Sequence, residues 1–265
     1  MSDSETLDGV VSDGVKLAKI MLGALNAAVT HMKPPPEFTD QARSLRRWQI
    51  HLSVLMLEVA SAAADAAAEG YARSIAILNR SVYKYSTKLK YFSAHHDDAH
   101  KQFTTIPIRN YSMLEKATPQ TEVALQMSEA ADTWREANAD RDEYSGNKKL
   151  LGMHLAVQKP ERILDDRRNP KLKNTREHHT MHDIPSQVVH GEAVLMFDVF
   201  DDLDDDDNFN ARLRSRIFTV IREISKLVTL LMEFLLTVHK NGTPIPELES
   251  LSNQMVAFRA RADKF

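Results

Sequence analysis

Apolar residues in this chain recur at intervals of three and four, and no segment keeps for long the period of two that marks a β-strand. This spacing places them on one side of an α-helix, where neighbouring helices would bury them. Only eight glycines occur, which leaves hairpin turns with little support. We therefore predict an all-α fold, a bundle of long antiparallel helices. The two clearest stripes are Ile75, Leu78, Val82, Tyr85, Leu89 and Phe92, and Leu213, Ile217, Ile221, Ile224, Val228, Leu231 and Leu235.

Capping and breaking residues set the expected helix boundaries. Thr39 and Asp40 form a good N-cap pair, Gly70 interrupts the pattern, and Pro119 stands at the favoured first position of a helix. The predicted helices cover about 12–32, 40–69, 71–92, 118–146, 186–198, 209–240 and 246–264.

The chain is predicted to form a single elongated helical domain, 1–265. Residues 159–185 are rich in prolines, charged residues and histidines, and we interpret them as a long connection with at most short helical turns. Residues 198–208 are predicted to form an acidic loop before the longest helix, whose positive N-terminus would favour the aspartates.

Composition excludes several classes of protein. Hydrophobic residues make up 43% and charged residues 27%, as in ordinary globular proteins. The net charge of -3 excludes a globally basic nucleic-acid coat but allows local basic patches. The chain has no cysteine, so disulfides, thiolate metal sites and cysteine nucleophiles are absent.

The predicted location is the cytoplasm, without a membrane partner. The acidic N-terminus lacks the basic start and apolar run of a signal peptide. The most apolar run, 227–238, is shorter than the roughly 20 residues needed to cross a bilayer.

The predicted helix after Gly70 has an unusual charge pattern. No acidic residue occurs between Gly70 and His96, whereas five residues there are basic and four are tyrosines. Basic side chains neutralise phosphates, and tyrosines can stack on unpaired bases, so the helix could face RNA. The alternative is the solvated face that any amphipathic helix needs. The candidate nucleic-acid-binding residues are Arg73, Lys84, Lys88 and Tyr91.

Ser186 and His190 lie four residues apart and would be neighbours on one helix face. A histidine beside a hydroxyl can act as a general acid or base, or bind a phosphate. No third member of a hydrolase triad follows, and a histidine that packs between helices is the more common case.

Two histidine clusters suggest a metal. His178 and His182 form an i, i+4 pair, and a second cluster covers residues 95–100. Neither cluster matches a specific zinc-binding spacing, and both could equally consist of hydrated loop residues. We therefore predict no metal and no cofactor.

An arginine followed by four to six residues and a histidine is the signature of metal-independent ribonucleases among HEPN helical domains. Arg176 with His182 fits this pattern, and so does Arg46 with His51. About two such matches are expected by chance in a chain with this content of arginine and histidine, so the motif alone decides nothing.

The segment 69–84, EGYARSIAILNRSVYK, precedes an aromatic pair and the stretch 98–103, DAHKQF. Together they resemble the first signature of a bacterial helical family, the domain-of-unknown-function family 5677, in which an Arg-Ser-x-x-Glu core follows a glycine. The segment 186–191, SQVVHG, resembles its second signature, a Ser-x-x-x-His-Gly helix start. Lys84 stands where the family usually has glutamate, so any pairing made by that glutamate is absent here.

The resemblance implies that Arg80 and Ser81 share one site with Ser186 and His190. By analogy with HEPN proteins, the leading hypothesis is an RNA-directed, metal-independent ribonuclease or an RNA-binding protein of bacterial stress or defence. In this hypothesis Arg80 stabilises phosphate charge, His190 acts as acid or base, and Ser186 and Ser81 orient them.

Two other classes of protein remain open from the sequence. One is a non-catalytic helical interaction protein that forms a homodimer through helix faces, with the surface of 227–238 packing a partner or a second copy. The other is a histidine-rich, metal-binding helical protein.

Overall fold

The computed structural model describes residues 6–32, 39–104, 129 and 206–265, and the structural statements that follow concern these residues. Within them the chain forms six α-helices and no strand, which confirms the all-α prediction. The predicted helices at about 118–146 and 186–198 and the connection 159–185 lie outside the described residues. The helices are α1 (Leu7–Thr30), α2 (Asp40–Ala68), α3 (Ala72–Ala94), α4 (His96–Thr104), α5 (Asp206–Lys240) and α6 (Leu248–Ala262).

Helix ends follow the capping residues with two differences. Thr39 caps α2 as predicted, its hydroxyl accepting from the Ala42 amide at 3.3 Å. Thr6 caps α1 in the same way, so this helix begins about a turn earlier than the predicted start at Ser12. Helix α5 begins at Asp206, so the final residues of the predicted acidic loop 198–208 are helical.

Helix α4 was not predicted, because its histidines and aspartates are equally typical of a loop or a metal cluster. It follows α3 after His95, where the backbone leaves the helical region at φ -137° and ψ 74°. Asp97 and Asp98 occupy its first turn, where carboxylates favour the positive end of a helix. The short helix packs on α2 and α3.

Four long helices surround one core. Helix α1 packs on α2 and α5, while α3 also packs on both α2 and α5; α6 covers α1 and α5. Helices α2 and α3 are antiparallel, as predicted. Helices α3 and α5 instead run in the same direction, because Asn79 contacts Glu223 whereas Ser93, farther along α3, contacts Asn241.

Helix α5 is more deeply buried than its predicted stripe. The other long helices and α6 pack around it, so side chains on several of its faces enter the core. Within 227–238 the only large apolar side chain that is exposed is Leu236, at 37%. The predicted use of 227–238 as a surface for a partner or second copy is therefore wrong, since this segment belongs to the core. Its buried residues are Leu227, Val228, Leu230, Leu231, Met232, Phe234, Leu235 and Val238.

Two glycines allow close packing and a tight turn. A Cβ at Gly14 would lie 2.8 Å from Cζ of Phe258 and 3.0 Å from Cγ1 of Ile224, so α1 needs glycine where it meets α5 and α6. Gly70 has a φ of +73° and ends α2, which allows the chain to reverse into α3.

Among the described residues, α2 is the one helix whose length and composition would allow it to cross a membrane. It lies in the bundle against α1, α3 and α4, and it buries Leu52 and Met56. A helix in the core of a bundle meets the same criteria of length and composition.

Candidate nucleic-acid interface

Helix α3 carries four of its five basic residues on the side opposite the core, while the fifth, Lys90, lies 3.9 Å from Glu233 of α5. Arg73, Arg80, Lys84 and Lys88 are separated by seven, four and four residues, which places them within about 80° of arc and along about 22 Å of helix. Val82, about half a turn away, is fully buried. No acidic residue occurs in α3, so this surface, the basic face, carries charge of one sign. We define the basic face by those four residues.

Arg80 lies at the middle of the basic face and is half-buried. Its Nε is buried and finds no hydrogen-bond acceptor among the described residues. A buried N–H without an acceptor costs free energy. The charge of the guanidinium attracts phosphate, whose oxygens accept charge-assisted hydrogen bonds from arginine N–H groups. Ser81, the next residue, is also half-buried at the edge of this surface.

A buried polar contact behind Arg80 holds α3 against α5. Asn79 donates from Nδ2 to the backbone oxygen of Glu223 at 2.9 Å and to its Oε2 at 3.1 Å. The Glu223 side chain is compensated by Lys226, whose Nζ lies 2.6 Å from Oε1. This contact fixes the rotation of α3 about its axis. Arg80 follows Asn79 and therefore lies about 100° farther round the helix, away from α5.

Lys88 ends the basic face beside α2. Its Nζ lies 4.2 Å from the centroid of the Trp48 ring and 5.5 Å from that of Phe92. The His51 ring meets the same Trp48 edge-on at 5.8 Å. Loss of hydration lowers the pKa of His51, and the charge of Lys88 lowers it further, so the fold favours the neutral imidazole.

The proximity of His51 to Lys88 was not predicted from the sequence. A signal was available, because Trp48 and His51 are three residues apart and must share one face of α2. The packing of α3 against that face was not readable from the spacing within α2.

The stacking role predicted for Tyr91 does not fit this fold. Helical rotation does put Tyr91 on the side of the basic face, but α4 covers it there and leaves it 4% exposed. Its hydroxyl donates to Asp98 of α4, and its ring lies 4.4 Å from that of His95. The exposed tyrosine of this region is Tyr71, at 59%.

Arg46 and His51 do not form a common site of the kind that the ribonuclease signature would need, because their described contacts are with different residues. Arg46 is 8% exposed and turns away toward the residues that follow α5. It donates to Gln49 Oε1 at 3.1 Å, to Thr243 Oγ1, and to the backbone oxygen of Asn241 at 3.3 Å. Burial lowers the pKa of Arg46. Its charge faces the negative end of α5, which gives Arg46 a capping role.

No three histidine, aspartate or glutamate side chains converge as a metal site in the part of the chain that the structure describes. In the cluster at 95–100, His100 Nδ1 lies 2.9 Å from Ser44 Oγ, while Asp98 is bound to Tyr91. The second predicted cluster, with His178 and His182, lies outside the described residues.

Ser186 and His190 also lie outside the described residues, as does Arg176. Of the four residues in the predicted site, the structure therefore describes only Arg80 and Ser81. Arg73 is exposed at one end of the basic face, and Lys84 and Lys88 are half-buried toward the other.

In the part of the chain that the structure describes, the fold and the candidate site define an all-α bundle whose helix α3 presents a basic face. Comparison of the chain with protein-family models, with curated proteins and with solved structures finds no match. The resemblance to the domain-of-unknown-function family 5677 thus stays a prediction from the two short motifs.

Proposed function

We propose that this protein binds RNA through the basic face of α3, with Arg80 against a backbone phosphate. The observation that carries the proposal is the single sign of charge along this helix, in a chain whose net charge is -3. Phosphate contacts from arginine and lysine supply most of the affinity of sequence-independent RNA binding. A local row of cations on an otherwise acidic protein concentrates that attraction at one surface.

The half-buried guanidinium of Arg80, at the middle of the basic face, supports the choice of an oxyanion ligand. An arginine presents several N–H groups in a fixed plane and can bind two phosphate oxygens at once. Lys84, in place of the glutamate usual in the similar family, adds a positive charge one turn from Arg80. This substitution favours phosphate binding and removes a candidate proton acceptor from the site.

The catalytic form of the proposal is a metal-independent, HEPN-like ribonuclease that acts in the cytoplasm in stress or defence. RNA supplies its own 2′-hydroxyl as nucleophile, so the protein needs to stabilise phosphate charge and exchange protons. Arg80 takes the first role and His190 the second, with Ser81 and Ser186 orienting them. The motif resemblance, which joins the two halves, supports this assignment.

The proposal is tested by binding and cleavage of a labelled single-stranded RNA, with EDTA present throughout. The variants are Arg80→Ala and His190→Ala, and the control is Arg259→Ala, which removes an exposed arginine from α6. We expect Arg80→Ala to weaken binding about tenfold and the control to bind as wild type. His190→Ala should retain binding and lose cleavage.

Each half of the proposal has its own contrary result. Absence of RNA binding by the wild type at low salt, or equal binding by all four proteins, would overturn the binding role of Arg80. Binding without cleavage by the wild type would overturn the ribonuclease and leave an RNA-binding protein.

A further inference from the structure

The C-terminal end of the basic face differs from its middle, because a residue of a second helix reaches it. Lys88 of α3 lies over the face of the Trp48 ring, and the ring of His51 of α2 makes a T-shaped contact with the same indole, at 5.8 Å between centroids and an interplanar angle of 63°. The indole thus serves as a common support for two side chains that can both carry positive charge. His51 is exposed, so a ligand held by Lys88 can reach it.

We propose that His51 and Lys88 form one phosphate-binding position on the basic face, which an RNA phosphate occupies fully when His51 is protonated. This inference rests on the proposed RNA binding. It adds a specific subsite for one phosphate and the uptake of a proton by His51 when that phosphate binds. Trp48 sets the spacing of the two side chains: its indole Nε1 donates to the backbone oxygen of Ala99 at 3.0 Å, which locks the ring.

The electrostatics of the free protein explain why a proton accompanies the phosphate. Loss of hydration and the charge of Lys88 both disfavour the imidazolium form of His51. A phosphate between the two side chains reverses the sign of the local field, so its binding raises the pKa of His51. By linkage, the protein must then take up protons as RNA binds, and it must bind RNA more tightly as the pH falls.

The described charged groups on the helices around His51 make contacts of their own. On α2, the Arg47 guanidinium lies 5.0 Å from the centroid of the Phe103 ring, and Glu58 lies about two turns beyond His51, beside Tyr85. On α4, Asp98 is bound to Tyr91 and His100 to Ser44. His95, between α3 and α4, stacks on Tyr91.

The test measures the affinity for a fluorescent 2′-O-methyl oligouridylate, which lacks the 2′-hydroxyl and cannot be cleaved through it. Affinity is compared between about pH 8 and about pH 5.5 at constant ionic strength, a range that covers histidine titration. The proteins are the wild type, His51→Ala, His51→Lys and the control His31→Ala, which removes an exposed histidine at the end of α1.

We expect acidification to tighten wild-type binding about tenfold, as a rise of one unit in one pKa implies. His51→Ala should lose most of this gain, and His51→Lys should bind tightly at both pH values because its charge is fixed. His31→Ala should follow the wild type. Calorimetry in two buffers of different ionisation enthalpy should show uptake of about one proton by the wild type and less by His51→Ala.

The failures of the two proposals are distinguishable. If the wild type binds no oligouridylate at any pH, RNA binding itself is wrong and the subsite falls with it. If the wild type binds and His51→Ala keeps the same pH dependence, the basic face stands and the His51 subsite is overturned. Circular dichroism of each variant shows that the comparison is made between folded proteins.

Discussion

Arg46 and Arg80 lie on neighbouring helices, and their surroundings differ in a way that separates structure from binding. The hydrogen-bonding groups of Arg46 meet Gln49, Thr243 and the backbone oxygen of Asn241, where α5 ends. Arg80 has a buried Nε without an acceptor among the described residues. A guanidinium satisfied inside the fold stabilises the fold, whereas one left unsatisfied at a surface of like charge is suited to an external anion.

The largest expected effect on stability comes from the loss of Arg46. Arg46→Ala removes the described donor to Gln49 Oε1 and to the backbone oxygen of Asn241, and one of the two donors to Thr243 Oγ1. It also removes a positive charge from the end of α5. We expect the free energy of unfolding to fall by roughly 2–4 kcal/mol in chemical denaturation. RNA affinity of the folded fraction should stay at the wild-type value. A loss below about 1 kcal/mol would show that Arg46 is not structural.

The next effect concerns the contact that holds the basic face in place. Asn79→Ala removes both hydrogen bonds to Glu223 and should lower the free energy of unfolding by about 1–3 kcal/mol. Asn79→Asp is the sharper variant, because it keeps the shape and places a carboxylate against the buried Glu223. We expect Asn79→Asp to be less stable than Asn79→Ala at neutral pH and to recover at acidic pH as the introduced carboxyl group is protonated. Equal stability of the two variants at all pH values would contradict a buried Asn79–Glu223 contact.

Much of the fold was predictable because its signals are local. Thr39 caps α2 as expected, and the spacing within α3 and α5 indicates their buried sides. The missing pieces depend on contacts between helices. The short α4 has a charged sequence that resembles a loop, and its stability comes from packing on α2 and α3. The burial of α5 on several faces follows from its central position, which one apolar stripe cannot reveal.

The candidate site likewise contains features that follow from local spacing and features that depend on contacts between helices. The row of Arg73, Arg80, Lys84 and Lys88 follows from spacing within one helix, so a reading of residues alone predicts it. Tyr91 has equally suitable spacing, yet α4 covers it. The approach of His51 to Lys88 depends on which face of α2 meets α3, and only the tertiary fold determines that.

A smaller effect is expected from the titration of His51. Its pKa is lower in the folded protein than in the unfolded chain, so the unfolded chain binds the proton first as the pH falls. The contribution of His51 to stability is therefore complete above about pH 6.5 and is lost as the pH falls toward the folded pKa. Since His51 is exposed, we expect well under about 1 kcal/mol. His51→Gln should flatten this part of the stability profile, measured by chemical denaturation across this pH range. Identical profiles for the wild type and His51→Gln would contradict the shift.

The smallest effect on stability should come from Arg80, and this result would complete the comparison with Arg46. Arg80→Met keeps much of the aliphatic stem and removes the buried Nε that lacks an acceptor. The free energy of unfolding should change by less than about 0.5 kcal/mol, or rise, because no described hydrogen bond is broken and a buried polar atom is removed. RNA binding should weaken about tenfold in the same protein, measured beside Arg46→Ala under one set of conditions. A loss of stability as large as that of Arg46→Ala would mean that Arg80 also holds the fold together, and the distinction between the two arginines would fail.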